Sequence, residues 1–291
     1  MLPSIPQSKI IRLVYRGYIG LFFIYLIAPL LVAATFAFND SLFPSLPWNG
    51  WTFDWFFNST QPRLGLFHDP NILRGIKTSI FVAVFTTGLS LLVGTSNAFL
   101  FERYQFPFKE VCYVLMLMPL VIPGVILGIS ILVFSSTLAN GIEEYFGYDI
   151  EVLRPGLFLV VLGQFSFIAT IATLVISARL RKFDRSLEEA ALNLGGSWFD
   201  VLRTITLPYL KPALIGSGLI AFLISFENFN TTLMLVGSDA PLTITMYDRM
   251  KEGSTPVLNA TSLFLMVGSG ILAFIAVLAQ RDKSGKSGGG S

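Results

Sequence analysis

Residues 187–212 read LEEAALNLGGSWFDVLRTITLPYLKP, a stretch of mixed polarity between long apolar runs. Apolar residues recur at helical spacing on either side of Gly195 and Gly196, which predicts two short amphipathic helices joined by a turn. The first apolar face comprises Leu187, Ala190, Ala191 and Leu194, and the second comprises Trp198, Val201, Leu202 and Ile205. Helices of this kind are typical of segments that dock into a groove of a partner protein.

Polar residues mark where these two helices begin and end. Ser186 and Glu189 have the spacing of a capping box, and Ser197 with Asp200 repeats that signal less strongly. Pro208 predicts the end of the second helix, because proline interrupts the hydrogen bonding of a helix interior.

The composition places the chain among membrane proteins. Hydrophobic residues make up 53% of the sequence and charged residues 13%, with a mean hydropathy of +0.69. Soluble domains carry about 25% charged residues, so this chain lies outside their range.

Gaps between charged residues define six candidate spans, since about 20 apolar residues cross a bilayer. Five runs carry no charge, and one contains a single carboxylate, Glu227. The runs are 17–39, 78–101, 111–142, 155–178, 212–238 and 253–280. We therefore expect an all-α membrane protein with one transmembrane domain over residues 1–283. Residues 284–291 resemble an added Gly/Ser linker and are left out of the fold.

The distribution of positive charge predicts the orientation of the spans. Fourteen Lys and Arg residues fall on the side that holds both termini and residues 187–212, and six fall on the other side. Positive residues are enriched in cytoplasmic loops of membrane proteins. We therefore expect a multi-pass protein of the inner membrane, with cytoplasmic N- and C-termini.

Several chemistries are disfavoured by the residues present. Cys112 and His68 are the single cysteine and the single histidine, so a zinc site or a Cys-His or Ser-His catalytic pair is not expected. Gly285-Lys286-Ser287 matches the last three residues of a phosphate-binding loop motif, but Gln280 occupies the position of the first glycine that the motif requires. We assign no catalytic residue, no metal ligand and no cofactor to this chain, and any ATP is expected to be hydrolysed by another chain.

The short-helix stretch also carries a resemblance to a known family. The matching positions are Glu189, Ala190, Ala191, Gly195, Ile205, Leu207 and Pro208. Without departure in residue type or spacing, they resemble the cytoplasmic loop signature of permease subunits of ATP-binding-cassette (ABC) importers. For Glu189 alone, capping of its own helix is the simpler account. The resemblance of the whole pattern implies a type I importer permease, with a coupling loop at about 181–212.

The family resemblance implies a set of partners. In that family, coupling helices sit in a cleft on an ATPase subunit and carry its closing motion to the spans. We therefore expect two ATPase subunits that bind ATP and Mg, a second homologous permease chain, and a periplasmic or lipoprotein substrate-binding protein.

The first outer segment is rich in aromatic residues. We expect Trp48, Trp51, Trp55 and their Phe neighbours to form an interfacial aromatic belt with a short helix. Phe38-Asn39-Asp40-Ser41, Leu46-Pro47-Trp48 and Trp55 resemble the first outer loop of the polyamine-type subfamily. This second resemblance implies spermidine or putrescine as the solute.

The third apolar run departs from a plain helix. Pro119, Pro123, Gly124 and Gly128 lie within ten residues, and each proline removes a backbone donor. In hydrocarbon, such a break is tolerated where it is buried in protein or lines a water-filled path. A packing kink and a pathway role are both open at this stage.

Glu227 is the sixteenth of the 27 residues of its run, which predicts a position near the bilayer midplane. An ionisable residue at that depth is costly and by default faces the interior of the bundle. A carboxylate followed by Asn228 and Asn230 suits a cationic, amine-bearing solute. We predict a substrate pathway at Glu227, Asn228, Asn230 and Pro123. The alternative is a protonated Glu227 that links two helices.

These inferences predict a transmembrane permease subunit of an ATP-driven importer for a small cationic solute, with a polyamine leading. Other amine-containing solutes, such as opines or aminoalkyl phosphonates, are alternatives within the same class. An ion-coupled secondary transporter is a further alternative, and a membrane-embedded enzyme is disfavoured by the single histidine.

Overall fold

The computed structural model describes residues 9–44, 46–253 and 255–281. Within these residues the chain is helical, apart from loops, two 3-10 turns and one antiparallel bridge between Asn39 and Trp51. The α-helices are α1 Lys9–Phe36, α2 Asp54–Phe57, α3 Pro70–Arg103, α4 Lys109–Val121, α5 Gly124–Phe146, α6 Leu157–Leu180, α7 Ser186–Asn193, α8 Trp198–Val201, α9 Leu207–Phe226, α10 Asn230–Leu235, α11 Leu242–Glu252 and α12 Pro256–Arg281. A π-helix, Leu202–Thr206, joins α8 to α9. The predicted Gly/Ser tail at 284–291 lies outside the described residues.

Six of the described helical segments are long and apolar enough to cross a membrane. They are α1, α3, α5, α6, the continuous segment Trp198–Phe226, and α12 from Pro256 to Ile275. The prediction of an all-α membrane protein with six spans is confirmed.

Two of the predicted runs are each divided into two helices. The run 111–142 is broken after Val121, and Pro123 directly precedes α5, whereas Pro119 lies inside α4 without ending it. The run 212–238 is broken between Phe226 and Asn230. This run does not continue as one helix through Glu227, because the α-helical hydrogen bonding of α9 ends there.

The chain divides into two compact units, 9–69 with 249–267, and 70–248 with 268–281. The second unit is centred on α6, the most buried of the spans, which packs along α3. Small residues allow this close approach: a Cβ placed on Gly94 of α3 would lie 2.8 Å from the Cβ of Ala172 on α6. Close packing of small residues is a main source of helix association in lipid, where apolar side chains gain little by leaving the surrounding hydrocarbon.

The first unit contains α1 and the outer segment that follows it. Trp55 of the short helix α2 is 1% exposed, and its indole N–H donates to the backbone oxygen of Asn39 at 2.9 Å. Arg63 pairs with Asp40 and, at 3.4 Å, with Asp54, and these carboxylates raise the pKa of the guanidinium. The predicted short helix is present. Trp55 is a core residue of this unit, so its expected place in an exposed aromatic belt was wrong, whereas Trp51 is 71% exposed.

Candidate functional site

The first short helix of the loop, α7, begins at Ser186, but the predicted capping box is absent. The backbone N–H of Ser186 donates to Oδ1 of Asp184 at 3.0 Å, and no capping side-chain hydrogen bond of the predicted Ser186–Glu189 type is formed. Bonds from Ser186 hold the pKa of Asp184 below its usual range. The Glu189 carboxylate is therefore left exposed rather than turned back onto its own helix.

The turn and the second helix follow the prediction. Gly195 ends α7 with φ of +89°, a left-handed conformation that glycine adopts without strain. Ser197 and Asp200 form a full capping box, with Asp200 N–H donating to Ser197 Oγ at 3.2 Å and Ser197 N–H to Asp200 Oδ2 at 3.3 Å. The weaker of the two sequence signals is thus the one that forms.

Pro208 does not end the second helix, which corrects the prediction. Residues Leu202–Thr206 form a π-helix, in which Leu207 N–H donates to the oxygen of Leu202, five residues back. In a regular α-helix a proline ring clashes with the carbonyl four residues earlier, and the wider π turn relieves that conflict. The loop therefore runs into α9 as one continuous helical segment.

The loop exposes an apolar surface in the described chain. Leu194 is 89% exposed and lies beside Gly195, around which a Cβ would meet nothing within 4 Å. Leu187, Trp198 and Phe199 are also more than half exposed. Together these four side chains form what we call the docking surface. Exposed apolar side chains that lie together are typical of protein interaction sites.

The residues of the sequence pattern fall in two places. Glu189, Ala190 and Gly195 are exposed beside the docking surface, and Ala191 of the same helix is half-buried. Ile205 instead packs against the buried cluster that contains Ala98 and Leu210, at the ends of the spans. Leu207 and Pro208 begin α9. The pattern therefore includes both an exposed half and a half that anchors the loop to the bundle.

An ion pair missed by the sequence reasoning ties the loop to two spans. Glu188 Oε1 accepts from Arg103 Nη2 at 3.0 Å and from Thr206 Oγ1 at 2.6 Å. Arg103 ends α3, and Thr206, fully buried, ends the π-helix. One carboxylate oxygen thus joins α7 to α3 and to the entry of α9. A cavity of about 220 Å³ lies beside this junction, between the loop and the end of α3.

The second predicted site lies where the two broken runs meet. A Cβ placed on Gly124, at the start of α5, would lie 3.0 Å from Thr231 Oγ1 and 3.2 Å from Asn230 Cβ, at the start of α10. Pro123, Glu227 and Asn230 are exposed at the two breaks. Irregular backbone at membrane depth is tolerated where it is buried in protein or lines a water-filled cavity.

The predicted pathway residues differ in what their side chains do. Glu227 directly follows α9, and its backbone N–H donates to Leu223 O at 3.1 Å. Asn228 is half-buried, and its Oδ1 accepts from both the N–H and the hydroxyl of Thr232, at 3.2 and 3.1 Å. Asn228 therefore braces the start of α10, whereas the side chains of Glu227 and Asn230 are exposed. Among the described residues, no group of His, Cys, Asp and Glu could hold a metal ion.

The six spans define a membrane-embedded protein. The chain belongs to the family of binding-protein-dependent transport system inner membrane components, whose model matches residues 87–281. The expected identity as an importer permease, and as a multi-pass inner-membrane protein, is thereby confirmed.

Similar curated proteins cover nearly the whole chain. It is 29% identical over 265 residues to the putrescine transport system permease protein PotI of Escherichia coli strain K12, covering 90% of this chain and 89% of PotI. It is 26% identical to the spermidine/putrescine transport system permease protein PotC of the same strain, covering 94% of this chain and 96% of PotC.

A solved structure shares the fold. A chain of a bacterial ABC transporter involved in the import of the acidic polysaccharide alginate superposes with a TM-score of 0.72 at 19% identity, covering 94% of this chain and 95% of that one.

Proposed function

We propose that this chain is the permease subunit of an ATP-driven importer that carries a polyamine, or another small amine-bearing cation, into the cytoplasm. The observation that carries the proposal is the exposed Glu227 carboxylate at the C-terminal end of the 20-residue helix α9. The C-terminus of a helix bears partial negative charge, which adds to the carboxylate in attracting a cation.

The relatives support this choice of solute. PotI and PotC, whose names specify putrescine and spermidine/putrescine, align with 90% and 94% of this chain. The acidic and amide side chains at the break suit the ammonium groups of such solutes, because carboxylate and amide oxygens accept hydrogen bonds from them.

The docking surface supports the proposal that an ATPase subunit binds the loop. Its apolar side chains are uncovered in this chain, on the side that the excess of Lys and Arg marks as cytoplasmic. We infer that two ATPase subunits bind ATP and Mg and hydrolyse the ATP. A second homologous permease completes the path, and a periplasmic or lipoprotein binding protein delivers the solute.

The coupling would run through named contacts. Closure of the ATPase subunits pushes α7 and α8, and Glu188 passes the displacement to α3 through Arg103 and to α9 through Thr206. Because Glu227 directly follows α9, a shift of that helix changes the side on which the carboxylate is accessible.

The test is uptake of radiolabelled putrescine by proteoliposomes that contain the complete importer, expressed with its genomic neighbours. Glu227→Gln should lower uptake at least about tenfold, since hydrogen bonds to charged groups contribute about 1.5–3 kcal/mol. Glu227→Asp is the matched control, because it keeps the charge. Unchanged uptake and unchanged solute-stimulated ATPase activity in Glu227→Gln would contradict the proposal, as would purification without any ATPase chain.

A further inference from the structure

A buried amide on α6 connects the two helices on either side of the Glu227 break. Ser225 Oγ, in the last turn of α9, donates to Gln164 Oε1 at 2.5 Å. Gln164 Nε2 donates to Thr232 Oγ1, in the first turn of α10, at 2.9 Å. Both polar atoms of the Gln164 amide are therefore hydrogen-bonded, the oxygen to α9 before the break and the nitrogen to α10 after it.

The hydrogen bonds continue from Gln164 to the break itself. Thr232 Oγ1 accepts from Gln164 and donates to Asn228 Oδ1 at 3.1 Å, next to Glu227 in the chain. Gln164, Ser225 and Thr232 are 1%, 3% and 0% exposed. Water cannot replace these bonds at such burial, so each lost partner leaves a costly unsatisfied group.

The backbone packing around Gln164 is equally close. A Cβ placed on the preceding residue, Gly163, would lie 2.4 Å from Leu235 Cδ1 and 3.0 Å from Thr231 Cγ2, both on α10. Thus α6 contacts α10 directly at the point where the Gln164 side chain leaves the helix. The hydrogen bonds that link Ser225, Gln164 and Thr232 therefore have little room to rearrange while α6 and α10 remain in contact.

We propose that Gln164 is a positioning residue for the solute path. Its amide fixes the end of α9 and the start of α10 relative to one another, and so sets the direction in which the Glu227 carboxylate points. Gln164 is buried behind the break and does not contact the solute. The inference rests on the proposed function, because it assigns to Glu227 the role of solute ligand.

A labelling experiment measures the position of residue 227 without relying on transport. In the complete importer, Cys112→Ser removes the single cysteine of this chain, and Glu227→Cys introduces one at the break. The cationic thiol reagent 2-(trimethylammonium)ethyl methanethiosulfonate is added, and the mass of this chain reports the modification rate. The parent for comparison is the Cys112→Ser, Glu227→Cys double variant.

Removing the bridge should change the labelling rate. Gln164→Leu in the parent background should change it about fivefold or more, the effect of losing hydrogen bonds with a net contribution of about 1 kcal/mol. Thr232→Val should act in the same direction, and Thr232→Ser, which keeps the hydroxyl, should restore the parent rate. These two variants also serve if Gln164→Leu does not assemble.

The matched control is Thr173→Val, on the same helix. Thr173 is also fully buried, but its hydroxyl donates within α6, to Ala169 O at 2.8 Å. The labelling rate of the Thr173→Val variant should stay within about twofold of the parent rate, because the lost hydrogen bond does not reach α9 or α10. Equal rates in the parent, Gln164→Leu and Thr232→Val would overturn the positioning role. Absence of labelling in the parent would instead contradict a water-accessible path at residue 227, and the inference would fail with it.

Discussion

The Oε1 atom of Glu188 accepts the Thr206 hydroxyl at 2.6 Å, which joins the first short helix of the loop to the base of α9. The same oxygen holds Arg103 at 3.0 Å. The side chains of Arg103 and Glu188 are 13% and 22% exposed, so solvent screens their attraction only in part. A displacement of α7 therefore strains its hydrogen bonds to both α3 and the base of α9.

Glu188→Ala should uncouple ATP hydrolysis from uptake, because it removes the contact between α7 and both spans. It should also destabilise the chain by about 1–3 kcal/mol, the cost of leaving a largely buried donor without its partner. The measurement is solute taken up per ATP hydrolysed in proteoliposomes. Glu188→Gln, which keeps an oxygen for Thr206, should retain part of the coupling. An unchanged ratio in Glu188→Ala would show that motion reaches the spans by another route.

Gly195→Asp should weaken binding of the ATPase subunit and lower uptake per ATP, with membrane insertion unchanged. Nothing lies within 4 Å of a Cβ at this position, so apart from the strain of the positive φ, the effect arises from a charge placed beside the docking surface. Gly195→Asn is the control, because Asn and Asp adopt a positive φ with similar strain. Co-purification of the ATPase subunit measures the result, and equal loss in both variants would attribute it to the backbone.

Gly94→Leu should lower the melting temperature of the purified chain in detergent. A Cβ at this position would lie 2.8 Å from Ala172 Cβ and 3.1 Å from Thr173 N, and overpacking of this kind costs about 1–3 kcal/mol. Gly88→Leu, on the same helix α3, should have little effect, since a Cβ there meets nothing within 4 Å. Similar melting temperatures for the two variants would contradict the close α3–α6 packing.

Trp55→Phe should loosen the outer segment. Loss of the indole N–H removes one of the two donors to the backbone oxygen of Asn39, which also accepts from Ser41 N–H at 2.8 Å, at a cost of about 0.5–1.5 kcal/mol. We expect faster trypsin cleavage after Arg63, whose partners Asp40 and Asp54 lie in the same segment. Trp51→Phe, at an exposed position, is the control and should leave the cleavage rate near that of the unchanged chain.

The spans and the loop could be predicted because their signals are local. Apolar runs of about 20 residues indicate spans wherever they occur, and Gly195 signals a turn through its own backbone freedom. Capping was less predictable. Ser186 was predicted to pair with Glu189, but its backbone N–H donates to Oδ1 of Asp184, two residues before it, and the predicted capping box does not form.

The side-chain contacts that join distant segments could not be predicted. Gln164 looks like an isolated polar residue in an apolar run, and its partners Ser225 and Thr232 are more than sixty residues away. Arg103 and Glu188 are separated by 85 positions. Glu227, by contrast, was identified as a candidate because an ionisable residue within a membrane span is energetically costly and is by default functional. Its place at a helix end followed only from the fold.

The π-helix before α9 sets the angular phase between the loop and the spans. Each residue of an α-helix turns the chain by about 100°, so the one extra residue in Leu202–Thr206 rotates everything before it by that amount. Deleting a single residue there would swing the exposed tryptophan and phenylalanine of α8 to another side of the axis, and would return Pro208 to the clash that the π turn relieves. The direction in which the docking surface faces therefore depends on the one extra residue of the π-helix.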